Sequence, residues 1–370
     1  MNVLADIGLL ALGIVAVYIV LDAALRTFVL PRGAPVLFTF IVFRTVRRVL
    51  DVLARPNRSY EWRDRVMALY APLALLTFPA VALVVVFLAY ACFFEALENK
   101  GWHDALLASG SSLFTLGFER PAGLGSALVA FSEAAVGLGL LAVLIAYLPT
   151  IYSAFSRREV MVTQLSVRAG TPPTPWRALE LAHRAGYLNN LDPVWNEWMQ
   201  WFCEVSETHT SLGALAFFRS PNPDRSWITA AGTLLDAAAL RLAVLNIPFT
   251  PEPGLCIRSG YLALREIADF YGFDHDPDPA PDDPISVARD EFIDVYEQLA
   301  VAGLPVRPDR ERAWRDFKGW RVNYDRVLLA LCSLVMAPYA PWSSDRSPRA
   351  PLRRQRWGLR LRRGGPVAPV

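Results

Sequence analysis

The sequence predicts an all-α membrane protein: three transmembrane helices plus a re-entrant helix and turn, followed by a helical cytosolic domain. Three observations lead there. Apolar residues make up 54% of the 370 positions and crowd into the first 155 or so. Within that part, stretches 3–25, 67–94 and 122–152 each reach the ~20 apolar residues that a bilayer core requires. Beyond them, apolar residues recur at helical spacing and β-branched alternation is nearly absent.

The first stretch (segment 1–30) lacks the basic leader of a secretion signal and outruns its apolar core, so it reads as a retained helix. Asp22 and Arg26 are placed to pair across one helical turn near its end. Pro79, inside the second stretch, kinks a helix rather than abolishing it. Arginines orient the chain. Arg32, Arg44, Arg47, Arg48, Arg55, Arg58, Arg63 and Arg65 separate the first two stretches, and Arg157, Arg158 and Arg168 follow the third. Only Lys100 and Arg120 lie between the second and third. The positive-inside bias therefore expects a multi-pass protein of the cell membrane, with the N-terminus outside and the C-terminal half in the cytosol.

Segment 31–66 opens on a Pro31-Arg32-Gly33 turn. Phe43, Val46, Val49, Leu50 and Leu53 then alternate with Arg44, Arg47, Arg48 and Asp51 at helical spacing. That pattern suits either a helix lying along the inner membrane surface or a cytosolic packing helix.

Between the second and third stretches, a short amphipathic segment (104–114) precedes Thr115-Leu116-Gly117-Phe118-Glu119-Arg120. The order of apolar helix, loop, short helix, Thr-x-Gly-Phe turn and apolar helix resembles the two-transmembrane pore domain of the bacterial potassium channel (ion channel) family, over about residues 67–157. The resemblance implies a homotetramer with a pore helix and a selectivity filter. In it, the Thr115 hydroxyl and the carbonyls of Thr115, Leu116, Gly117 and Phe118 replace the hydration shell of a monovalent cation, K⁺ by resemblance. Phe118 would pack outward to hold the filter open. Asp104 suits the positive end of the pore-helix dipole, and Ala108, Ser109, Gly110, Ser111 and Ser112 permit close packing. Gly117 supplies a backbone conformation that other residues adopt only with strain.

Two positions depart from the family. Glu119 stands where the filter's second glycine belongs, and Arg120 follows it. A left-handed backbone at Glu119 would cost about 1–2 kcal/mol. Four copies would set a carboxylate ring at the outer mouth, with Arg120 beside it to neutralise it, so reduced potassium selectivity is expected. Gly137 and Gly139, in the third stretch, read either as the family's hinge or as small residues for close helix packing. Glu133, a carboxylate within the same stretch, reads as a group that hydrogen-bonds the back of the pore helix and buttresses the filter, or stays protonated against it, ahead of direct ion binding.

After a linker at 158–175, rich in proline at Thr171-Pro172-Pro173-Thr174-Pro175, amphipathic helices are expected at 176–186, 193–215, 226–245, 254–271, 285–302 and 310–337, within one domain at 176–340. Cys92, Cys203, Cys256 and Cys332 have no metal-ligand spacing and read as buried apolar groups. Glu204, Glu207 and His209 do not share one narrow helical face, so a polar network with Arg219 or Arg225 is expected there rather than a metal site. The chain carries no glycine fingerprint, P-loop, HExxH or nucleophile elbow, so no enzyme and no cofactor are expected. Within segment 341–370, the acid-free run 349–363, with Arg353, Arg354, Arg356, Arg360, Arg362 and Arg363, suits anionic lipid rather than nucleic acid, or is a disordered tail that only follows the positive-inside bias. The competing function class is a non-conducting membrane-anchored sensor or enzyme. The ligand of 176–340 is not legible.

Overall fold

The computed structural model describes residues 3–30, 36–55 and 57–347. The turn at 31–33 and the basic tail lie outside them. The regular structure among the described residues is all helical, joined by turns and loops, apart from one isolated bridge, Leu245 to Val306. They fall into two compact units. The first comprises the described residues up to Val160 together with Glu207–Pro223, and the second comprises Met161–Ser206 with those from Asp224 onward.

Among the described residues, three helices are long and apolar enough to cross a bilayer, which fits a membrane protein. Helix α1 (Val3–Ala24) ends in a π-turn at Leu25–Val29, and Arg26 pairs with Asp22 at 2.7 Å as its spacing required. Next come α2 (Leu37–Leu53), α3 (Tyr60–Ala68) and α4 (Tyr70–Glu98). The short α5 (Trp102–Leu113) precedes α6 (Leu124–Ala169). Val20 and Ala23 of α1, Phe78, Ala82 and Val86 of α4, Ala105 and Leu113 of α5 and Leu140 of α6 share one apolar core. Between bilayer-crossing helices such contacts stabilise through close van der Waals packing rather than by removing surface from water.

Helix α2 packs on α4. Phe38 meets Phe78 ring to ring at 5.4 Å, and Arg47 stacks over Tyr70 at 5.3 Å. Those two contacts lie 9 residues apart on α2 and 8 apart on α4, about one equal helical rise. The helix therefore runs alongside the start of α4, held by aromatic packing.

The expected linker at 158–175 is mostly helix. Helix α6 continues to Ala169 and turns at Gly170, and Pro175 opens α7 (Pro175–Arg184), where its missing N–H costs nothing. Helix α8 (Asp192–Ser211) stops short of the expected 215, and a 3₁₀ turn follows at Gly213–Phe217. Thr210 and Ser211 hydroxyls donate back to the Glu207 carbonyl, competing with the ladder just before a glycine.

Nor do 176–340 form one uninterrupted domain, because Glu207–Pro223 packs into the first unit. Leu215 is fully buried against Leu75, Tyr147, Ile151 and Ala154, and Phe217 stacks on Tyr70 at 5.1 Å. Buried Arg158 of α6 donates to the carbonyls of Leu215 (2.9 Å) and Phe218 (2.7 Å), bonds Glu159 at 2.8 Å, and lies 3.3 Å from His209 Nε2. Arg219 pairs with Asp64, and Arg225 donates to Thr163 at 3.2 Å. These arginines thus serve partners the sequence did not suggest.

The second unit centres on α9 (Trp227–Ala243), buried along its whole length, with α10 (Glu252–Phe270), α11 (Arg289–Val301), α12 (Arg310–Arg321) and α13 (Asp325–Val335). The single helix expected at 310–337 is therefore two. Asn323 caps α12 by donating to the Gly319 and Trp320 carbonyls, and its own carbonyl accepts from Arg265. Arg321 and Tyr324 turn inward to Asp236, and Arg321 also bonds Asp325 at 2.8 Å. Burial alone would lower the Arg321 guanidinium, but Asp236 and Asp325 outweigh it and hold it charged. Helix α11 starts at Arg289, where Glu291 accepts from the Ala288 N–H at 2.8 Å. Cys92, Cys256 and Cys332 are buried, whereas Cys203 is exposed, a correction to its apolar reading.

Candidate functional site

Helix α5 occupies the expected place between the second and third long helices, with boundaries one or two residues earlier than the sequence suggested. Asp104 lies in its first turn, where a carboxylate complements the partial positive charge of the free N–H groups. Two glutamates at the end of α4 hold the surrounding loop. Glu95 accepts from the Gly101 N–H at 3.0 Å, and Glu98 accepts from the Ala122 N–H at 2.9 Å while pairing with Lys100 at 2.7 Å. Asn99 reverses the chain between them in a left-handed conformation.

The C-terminal end of α5 organises the segment after it through one residue. Buried Ser111 accepts the N–H of Leu116 (2.8 Å) and of Gly117 (3.3 Å) on its carbonyl, and the N–H of Glu119 (3.1 Å) on its hydroxyl. A trans peptide sets its C=O opposite to the following N–H. The carbonyls of Thr115, Leu116 and Phe118 therefore point away from the helix end, toward the exposed side of the segment. φ is positive at Thr115 (55°) and Gly117 (71°) and at neither Leu116 nor Phe118. Gly117 takes its angle without a Cβ penalty. Thr115, a β-branched residue in the left-handed region, is strained.

The strain anticipated at Glu119 is absent, since its φ is not positive. Its N–H bond to Ser111 is compatible with an ordinary backbone, and the unusual angle falls at Thr115 instead. Residues 114–120 are exposed in the single chain, Leu116 at 65% and Phe118 at 57%, so Phe118 packs against no core here. No ion pair joins Glu119 and Arg120 among the described residues.

Behind α5, Glu133 of α6 is fully buried. Its Oε1 lies 2.5 Å from Ser109 Oγ, which lies 2.8 Å from the Phe87 carbonyl of α4. Gly137 faces the same helix: a Cβ there would stand 2.8 Å from Leu113 Cδ1 and 3.1 Å from the Leu113 carbonyl oxygen. Gly137 is thus a close-packing position at the foot of the Thr115–Phe118 segment. Gly139 has nothing within 4 Å of such an atom.

Sequence reasoning named the exposed segment but missed the residues that shape it. In the sequence Ser111 and Ser109 read only as small packing residues, and Glu95 and Glu98 carry no specific signal of their role. Their one visible signal is that polar groups sit at the ends and on the buried face of an otherwise apolar arrangement.

Compared with known proteins, the chain matches no family model, no curated protein and no solved structure.

Proposed function

We propose that the chain is one subunit of a tetrameric, potassium-channel-like cation channel that conducts through Thr115, Leu116, Gly117 and Phe118. The observation that carries this reading is the pair of N–H bonds from Leu116 and Gly117 to the Ser111 carbonyl, which aims the Thr115 and Leu116 carbonyls outward. Four copies would bring four such carbonyls into each ring, an oxygen cage able to replace a cation's water. Exposure of Phe114, Leu116 and Phe118 supports the need for neighbouring copies, because a lone chain leaves these large apolar groups uncovered.

In this reading Glu119 contributes four carboxylates at the mouth, attracting cations without discriminating between them, so Na⁺ permeates alongside K⁺. The second unit serves assembly or gating from the cytosol. Purified protein in liposomes tests the proposal. K⁺ flux is expected from wild type and is lost in Gly117→Ala, and a detergent-solubilised mass of four copies accompanies it. Monomers under several mild conditions would refute it.

A further inference from the structure

Three oxygens meet behind α5, and their hydrogen inventory is informative. Ser109 Oγ stands 2.8 Å from the Phe87 carbonyl and 2.5 Å from Glu133 Oε1. A hydroxyl carries one hydrogen, and a carbonyl carries none. If Glu133 were a carboxylate, two contacts would share a single hydrogen, and one would set lone pair against lone pair. The burial points the same way. Glu133 is fully enclosed, its Oε2 has no hydrogen-bond partner, and no basic side chain pairs with it among the described residues. A carboxylate so placed bears a large desolvation cost, because nothing returns the lost hydration. Tyr90, the titratable side chain facing this site from α4, is engaged with Ser132 Oγ at 3.1 Å, and Ser132 lies 2.8 Å from the Val129 carbonyl.

We propose that Glu133 is a carboxylic acid whose own proton is donated to Ser109 Oγ, freeing the Ser109 hydrogen for the Phe87 carbonyl. The relay then joins three elements through two complete hydrogen bonds, α6 to α5 and α5 to α4. Glu133 is a positioning residue: it touches no conducted ion, and it fixes the helix whose last turn presents Ser111 to Leu116, Gly117 and Glu119. Its consequence for conduction rests on the channel reading, whereas the proton assignment does not.

Infrared spectroscopy of the full-length protein in lipid tests the assignment directly. Wild type is expected to show a protonated-carboxyl C=O band that is absent in Glu133→Gln. A spectrum at neutral pH with no band lost on that substitution would overturn the proposal. Should Glu133→Gln not fold, Ser109→Ala serves instead, and the same band shifts as its acceptor is removed; an unshifted band would count against the relay. Thermal unfolding supplies a second readout. Glu133→Gln, whose amide donates to Ser109 in the proton's place, is expected to melt as wild type does, while Glu133→Ala melts earlier; equal losses would refute the donor role. In flux assays the Gln variant conducts as wild type does. If the band is present and no protein conducts, the proton assignment stands and the channel reading fails. If wild type conducts and the band is missing, the assignment fails alone.

Discussion

Gly137→Val separates close packing from hinge bending. A Cβ at this position would meet Leu113 Cδ1 at 2.8 Å and the Leu113 carbonyl oxygen at 3.1 Å. The methyl can move a few tenths of an ångström. The carbonyl is anchored in the last turn of α5, and Leu113 is buried. Overpacking of this kind costs about 1–3 kcal/mol, and a valine with two further carbons belongs in the upper half of that range. Valine's better helix propensity returns about 0.3–0.5 kcal/mol against glycine. The net expectation is a loss of about 2 kcal/mol per chain, read as denaturant-induced unfolding in detergent micelles. Leu113→Ala removes the clashing methyl, so the double variant should recover at least about 0.5 kcal/mol over the sum of the singles. Gly139→Val, facing open space within the chain, should stay within about 0.5 kcal/mol of wild type. Equal losses at both glycines, or additive behaviour with Leu113→Ala, would refute the packing argument and favour a hinge.

Three further outcomes are expected. Asp236→Ala should destabilise the second unit by about 3–5 kcal/mol in chemical denaturation, because it removes one partner of a fully buried pair and leaves Arg321 with Asp325 as its one remaining carboxylate among the described residues. Arg346 hydrogen-bonds Glu291 and holds its carboxyl below the ordinary value of 4.5. The stabilisation is therefore present above that value and drains away as pH falls through the lower folded one, and an acid unfolding series should lose this dependence in Arg346→Ala. Its size stays below about 1 kcal/mol, since the Glu291 side chain is 41% exposed. A double-mutant cycle on Asp64→Asn and Arg219→Ala should give a coupling above about 0.5 kcal/mol, read by the thermal melting of the full chain, for their partly buried bond ties Glu207–Pro223 to α3.

Legibility in the sequence followed the range of the forces involved. Apolar length marked all three long helices, and Asp22 with Arg26 announced its own pair, because both signals are local. The split of 310–337 was not legible. It depends on Arg321 and Tyr324 turning toward Asp236, more than 80 residues away. The docking of Glu207–Pro223 was hidden for the same reason: Arg158 and Asp64, its partners, carry no mark of a distant acceptor or donor. At the candidate site, Thr115–Phe118 could be read as a motif. The strain fell on Thr115 rather than Glu119 because it depends on how Ser111 gathers the N–H groups behind the turn, a three-dimensional arrangement that residue types alone do not encode.

In the proposed channel, backbone carbonyls of Thr115–Phe118 conduct cations. Ion flux through purified full-length protein in liposomes, with K⁺ and Na⁺ compared and Gly117→Ala as control, tests it most directly. The account predicts K⁺ flux with measurable Na⁺ permeation in wild type, abolished by Gly117→Ala while the protein still assembles. An assembled wild-type protein that passes neither ion, or flux indifferent to Gly117→Ala, would contradict it.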